Sequence, residues 1–281
     1  MKFTTKIARR YSLMTMGLVA TTALSIASAE TLHTGADETY APLVFRNLDG
    51  KLEGFSIDLG HALEKELGIT IEVEGTQFAT LIPALNANKY DFILGAVTAT
   101  RERAEAMLFS EPYLESDYLV IQKKNAEPIT APEQLKGKTL AVNRGSPYEQ
   151  WARENNEKYG FEYSVYPTNA DAIQAVVSGR ADANMAGAPA QAWAAKHNPL
   201  LKTTYEITTG QVWAYAFRKN DTARRDQISN ALKCLKQKGI VAEIAMKWLG
   251  FAPPATKTLY PGQGIPDMPG YDATPVTLNC K

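Results

Sequence analysis

Apolar positions along the chain switch repeatedly between a helical and a strand period. Residues 57–67 place Ile57, Leu59, Ala62, Leu63 and Leu67 close to helical spacing, and Gly68 follows as a stop. Residues 70–74 then alternate as a half-buried strand does, 78–87 read as a second helix, and 91–97 form a compact apolar run suited to a buried strand. A strand at 118–122 leads into a polar, proline-containing connector at 123–133, a composition that often marks a change of domain. Beyond it the same alternation returns: strand 139–143, helix 148–159, strand 163–166, helix 170–178. Another apolar strand is predicted at 212–217, and 224–248 is long and amphipathic with a break at Gly239. From Phe251 onward prolines and glycines crowd the tail, which should wrap the surface as irregular chain. Short strands alternating with helices predict an α/β fold of mixed sheets flanked by helices.

The first residues change the picture of where the chain works. Lys2, Lys6, Arg9 and Arg10 precede an uncharged, largely apolar run at 13–26 that ends in Ala27-Ser28-Ala29, the pattern of a secretory signal peptide cleaved before Glu30. The run is shorter than the roughly 20 apolar residues a spanning helix needs. Arg9-Arg10 also admits a twin-arginine signal, although an ordinary charged leader fits the following residues better. Loss of residues 1–29 removes four basic and no acidic residues, leaving 26 against 30 and a net charge of about −4 over 252 residues. That balance argues against a nucleic-acid partner. In an oxidising periplasm the two cysteines, Cys234 and Cys280, are expected to pair and pin the tail to the body; the alternative is one buried and one exposed thiol. His33, His61 and His197 have no metal-ligand spacing, and no nucleophile elbow, P-loop or dinucleotide fingerprint occurs, so neither a metal nor a cofactor is expected.

Several ordered blocks together resemble the polar amino-acid-binding family of periplasmic solute-binding proteins that serve ABC importers. They are Asp37-Glu38-Thr39-Tyr40-Ala41-Pro42-Leu43, Gly54-Phe55-Ser56-Ile57-Asp58-Leu59, the stretch from Phe78 to Leu85, Asp91-Phe92-Ile93, and Thr98 to Arg103 followed by Phe109-Ser110-Glu111-Pro112-Tyr113. Leu135-Lys136-Gly137-Lys138 with Gly145-Ser146, Gly179 to Ala183, and Lys247-Trp248-Leu249-Gly250 complete the set. The resemblance implies a two-lobe (type II) periplasmic-binding-protein fold. Lobe 1 would be 30–114 with 211–252, lobe 2 would be 115–210, two strands would form the hinge, and 253–281 would be a tail. It also implies a monomer that closes on a small polar ligand and presents it to a membrane permease.

By the same resemblance Arg103 would grip a ligand carboxylate with its planar fork, with Thr98 adding a hydroxyl and Ala96 lying beside it on the strand. The plain alternative for Arg103 is a surface arginine paired with Glu102 or Glu105. Gly145 and Ser146 sit between strand and helix, where free N–H groups favour an anion; Ser146 also reads as an ordinary helix cap. Tyr40 and Phe78 would wall the cleft, with Tyr148 and Trp151 contributing from lobe 2 or simply packing there. The family's aspartate for the ligand's α-ammonium group falls here on Gly187. An amine would then have to meet Glu38, Asp37 or Gln191, or the ligand would lack a free one, as an opine, a betaine or a simple carboxylate does. Asp182 reads as structural. Two other classes stay open: a periplasmic dehydratase of the same fold, with an acidic cleft residue as general acid, and a sensory or accessory binder.

Overall fold

The computed structural model describes Met1 and residues 30–281; the expected signal peptide lies outside the described residues. The chain runs β1 (Thr31–Asp37), β2 (Thr39–Tyr40), β3 (Val44–Arg46), β4 (Leu52–Glu53), α1 (Phe55–Leu67), β5 (Thr70–Thr76), α2 (Phe78–Asn86), β6 (Phe92–Thr98), α3 (Arg101–Ala106), β7 (Met107–Phe109) and β8 (Leu114–Glu115). It crosses to β9 (Tyr118–Lys123), β10 (Thr139–Asn143), α4 (Pro147–Tyr159), β11 (Glu162–Tyr166), α5 (Asn169–Ser178), β12 (Ala183–Gly187), α6 (Ala188–His197) and β13 (Leu201–Ile207). It returns through β14 (Val212–Arg218) to α7 (Thr222–Gln237) and α8 (Ile240–Leu249).

These elements build two lobes of mixed sheet flanked by helices. One sheet has the order β5-β1-β6-β14-β7, with β8 also on β14; the other has the order β11-β10-β12-β9-β13. The two share a plan: β1 lies parallel between β5 and β6, β10 lies parallel between β11 and β12, and the strand beyond is antiparallel in each case. The ends of β1, β6, β10 and β12 therefore converge on the gap between the lobes, which is where open α/β sheets place ligands. The predicted break at Gly239 separates α7 from α8, and Gly68 ends α1 in a left-handed conformation. Several elements were not read from the sequence and emerge only here, among them β1 and, in the second lobe, β12, whose sequence is Ala-Asn-Met-Ala-Gly, with α6 and β13 behind it.

The tail after Phe251 is irregular apart from a short 3-10 turn, Pro254–Thr256. Cys234 on α7 is disulfide-bonded to Cys280, 46 residues on. Beneath the tail, α7 buries cations. Lys236 donates to Glu111 Oε1 at 2.8 Å and Thr258 O at 2.7 Å, Lys233 donates to Gly262 O, and Arg225 donates to Gly270 O at 3.0 Å. Every one of these side chains is buried, and the loop carbonyls they meet satisfy charges that would be costly to leave unpaired away from water.

Candidate functional site

A small cavity lies between the lobes. Asp37, Tyr40, Phe78, Ala96 and Thr98 line it from lobe 1; Asn143, Ser146 and Tyr148 line it from lobe 2. Its volume is about 20 Å3, room for roughly one water molecule. The lining is more apolar than polar, with Leu43, Val44 and Leu81 beneath the aromatic rings.

Tyr40 bridges the gap. Its hydroxyl lies 3.0 Å from that of Tyr148 and accepts the Gly187 N–H at 2.9 Å, so three positions remote in sequence meet at one oxygen. The Tyr118 ring at the start of β9 stands edge-on to Tyr148 with centroids 4.8 Å apart, tying that strand to the same cluster. Burial pushes the Tyr40 and Tyr148 phenols well above their ordinary range, so both remain neutral donors and acceptors. Gly187 is there because nothing larger fits. A Cβ at that position would stand 2.7 Å from the Tyr40 hydroxyl and closer still to the Trp213 indole. The place where the resemblance expects an aspartate is thus filled by the Tyr40 hydroxyl and the Trp213 ring.

Arg103 is half-buried at the crevice and reaches across it. Its guanidinium donates to Thr98 O at 2.9 Å on its own lobe and to Gly145 O at 3.0 Å on the other, with its carbon 5.6 Å above the Phe78 ring. Burial lowers its pKa, opposed by the nearby Tyr148, Tyr118 and Glu102. Among the described residues no carboxylate forms an ion pair with it, so the surface pairing with Glu102 or Glu105 is absent. Thr98 is buried too, its hydroxyl 2.7 Å from Ser116 Oγ and accepting the Trp213 indole N–H at 3.1 Å.

The expectation of free N–H groups at Gly145-Ser146 is corrected. The Gly145 N–H donates to Glu149 Oε2 at 2.6 Å, the Ser146 N–H points at Asn143 O at 3.4 Å, and residue 147 is a proline with none. The Glu149 carboxylate takes the place an anion would want at the start of α4. Ser146 is the helix cap, accepting the Glu149 N–H at 3.1 Å. Gly145 adopts φ 72°, and a Cβ there would sit 3.6 Å from the backbone of Ala79, so this turn closes directly against α2. Glu38 is likewise corrected: it turns from the cavity and pairs with Arg46 at 2.6 Å. Gln191 is buried inside lobe 2 on Asn184, Trp151 stacks on Phe161 there, and Asp182 accepts the Thr139 N–H at the far end of β10.

Two polar side chains dominate what remains. Asp37, 5% exposed at the end of β1, uses Oδ1 to accept from the Thr39 N–H at 3.0 Å and hydroxyl at 2.8 Å. Burial raises its carboxyl above the usual aspartate range, while hydrogen bonds from Thr39 and the Phe78 N–H pull the other way. Among the described residues no lysine or arginine pairs with it. Asn143, 2% exposed, ends β10 at the place equivalent to Asp37, and its Oδ1 is buried with no hydrogen-bond partner. Asn143 escaped the sequence reading, although its position as the last residue of a predicted strand was the available signal.

Comparison with known proteins agrees with this geometry. Residues 32–251 match the model of the bacterial extracellular solute-binding proteins, family 3. The chain belongs to that family. The L-cystine-binding protein TcyJ of Escherichia coli (strain K12) is 30% identical over 222 residues, 78% of this chain and 83% of that protein. The arginine-binding extracellular protein ArtP of Bacillus subtilis (strain 168) is 31% identical over 76% of this chain and 84% of its own length. Among solved structures, an ancestral arginine-binding protein bound to arginine superposes with a TM-score of 0.75 at 33% identity, covering 78% of this chain and 98% of that one. An ancestral amino acid-binding protein described as a precursor of cyclohexadienyl dehydratase gives 0.72 at 36% identity, over 78% and 95%. Members of this family are periplasmic or extracellular binding proteins that work with ABC permeases. The matched segment ends where the disulfide-tied tail begins.

Proposed function

We propose that this family-3 protein is the exported solute-binding component of an ABC importer, monomeric, and that it captures a small polar ligand by closing its lobes on the cavity beneath Tyr40. The observation that carries the reading is the bridge itself: a phenol from one lobe hydrogen-bonded to a phenol and a backbone N–H of the other, over a cavity lined from both. Such a contact exists only when the lobes are together, so a ligand that completes the cavity selects the closed form. Two-state arithmetic requires only a few kcal/mol of preference for closure.

In this reading Arg103 is an interlobe latch. The family resemblance implied a ligand carboxylate for it; its two carbonyl contacts favour clamping Gly145 against lobe 1. A thermal-shift screen over amino acids, amines, opines, betaines and small carboxylates, with small-angle scattering on each hit, tests the proposal: the true ligand raises Tm and reduces the radius of gyration. Arg103→Ala should leave the fold intact and weaken that ligand's closure. A screen without any stabilising solute, or a hit that leaves the protein open, refutes capture by closure.

A second reading rests on the same buried Asp37, whose raised pKa suits a general acid, and on the structural likeness to the dehydratase precursor. Incubation with prephenate or arogenate separates the two, since a binder yields no aromatic product.

A further inference from the structure

We infer that Phe251 and the Pro253-Pro254 pair, standing behind the two segments that join the lobes, form a stop that limits how far the lobes open. The inference rests on the reading of lobes that part and close, and it adds the element that regulates the motion.

The chain passes between the two sheets at 116–117 and again at 208–211. Successive residues of extended chain face opposite sides. Ser116 faces the ligand side, its hydroxyl 2.7 Å from that of the cavity-lining Thr98. Glu115 and Asp117 face the other way, into a groove of about 410 Å3 behind the crossings. Lobe 1 walls this groove with Phe251 and Pro253-Pro254, and lobe 2 walls it with Ala188, Pro189 and Glu206. Two bodies that turn about such crossings separate at the front only as they approach at the back. With the lobes together, about 20 Å3 is free in the ligand cavity and about 410 Å3 in the rear groove. The rear groove is therefore the room that opening consumes.

What stands in that room is stiff. Each proline has a fixed φ. The Ala255 N–H donates to Glu115 Oε1 at 2.8 Å, and Thr256 donates to Pro253 O from its N–H at 3.0 Å and its hydroxyl at 2.6 Å, so the turn is fastened to the crossing it guards. On the far wall the Ala188 N–H donates to Asp117 O at 2.8 Å, which holds the start of α6, and Pro189 with it, beside the same crossing. Phe251 lines the groove while 54% exposed; a ring left so far outside the core adds little to folding stability. Side chains brought into van der Waals contact resist further approach steeply, so bulk at this place caps the opening angle. Pro253 and Pro254 lie outside residues 32–251, which the family model matches. None of these contacts involves the Cys234–Cys280 bridge, so its reduction leaves the stop in place.

Native-state hydrogen exchange on the ligand-free mature protein reads the opening, because the Gly187 N–H is held by Tyr40 of the other lobe and is freed when the lobes part. Phe251→Ala removes the bulk and, by admitting more open conformers, should speed Gly187 exchange several-fold. Ala252→Phe adds a ring to the same groove and should slow it. Neither residue lines the ligand cavity. The buried Leu140 and Val142 amides of β10 should exchange in both variants as in the native chain, which shows the fold intact. Failure of either shift, or a shift of opposite sign, overturns the stop and leaves capture by closure standing. Gly187 exchange no faster than that of Leu140 and Val142 in the unsubstituted protein means lobes that never part, and overturns both.

Discussion

The interlobe cavity and the tail-covered face of α7 bury charge in opposite ways. Under the tail, Lys233, Lys236 and Arg225 each meet a carbonyl or the Glu111 carboxylate, and a disulfide holds the assembly shut. In the cavity, Asp37 accepts from Thr39 but meets no lysine or arginine among the described residues, Asn143 Oδ1 accepts no hydrogen bond, and closure rests on one phenol and one guanidinium. The first arrangement suits a permanent structure, because breaking any contact exposes an unpaired charge in the interior. The second suits a site that waits for something from outside. Charge pairing rather than hydrogen-bond satisfaction distinguishes the two regions, since Glu111 Oε2 and Gln263 Oε1 beneath the tail lack a hydrogen-bond partner as Asn143 Oδ1 does, whereas Glu111 has Lys236 at 2.8 Å and Asp37 has no cation among the described residues.

The sharpest way to break that comparison is Glu111→Ala, which leaves two buried lysines without a carboxylate and should cost about 3–5 kcal/mol in urea unfolding. A value near zero would show that the tail-covered charges are not a paired scaffold. Reduction of the disulfide, or Cys280→Ser, frees a 46-residue loop and should lower stability by about 3–4 kcal/mol by chain entropy; comparing unfolding with and without dithiothreitol measures it, and ligand affinity should not move. Gly187→Ala forces a methyl against Trp213 and Tyr40 and should cost about 1–3 kcal/mol, visible as a larger radius of gyration in scattering. Tyr148→Phe removes one arm of the bridge and should weaken closure by about 1 kcal/mol, read as a several-fold loss of ligand affinity. Smallest of all is Asp37→Asn without ligand: removing a buried, unpaired carboxylate should leave unfolding unchanged or stabilised by up to about 1 kcal/mol. Clear destabilisation there would place Asp37 with the scaffold.

Much of this was legible in the pattern of residues. The period of 57–67, the apolar block at 91–97 and the break at Gly239 each mark an element that the fold contains, because helix and strand impose their own spacing on whatever face is buried. β12 was not legible. Ala-Asn-Met-Ala-Gly has no β-branched residue and no alternation; it is a strand because β10 and β9 flank it and bury it on both faces. In the site, Tyr40, Phe78, Ala96 and Thr98 line the cavity with Ser146, while Glu38 turns aside to an arginine seven positions farther along the backbone than Thr39. Strand ends told which residues approach the gap; rotamers decided which of them enter it.

The sequence by itself pointed to the family, to much of the helix–strand order, to a disulfide as the expected state of the two cysteines and to a glycine where the resemblance expects an aspartate, since each is local or carried by an ordered motif. Only the tertiary structure decided what that glycine means. Tyr148 and Gly187 lie 108 and 147 positions along the chain from Tyr40, whose hydroxyl they meet, and whether a hydrogen-bonding group is satisfied depends on partners that folding alone brings within about 3 Å.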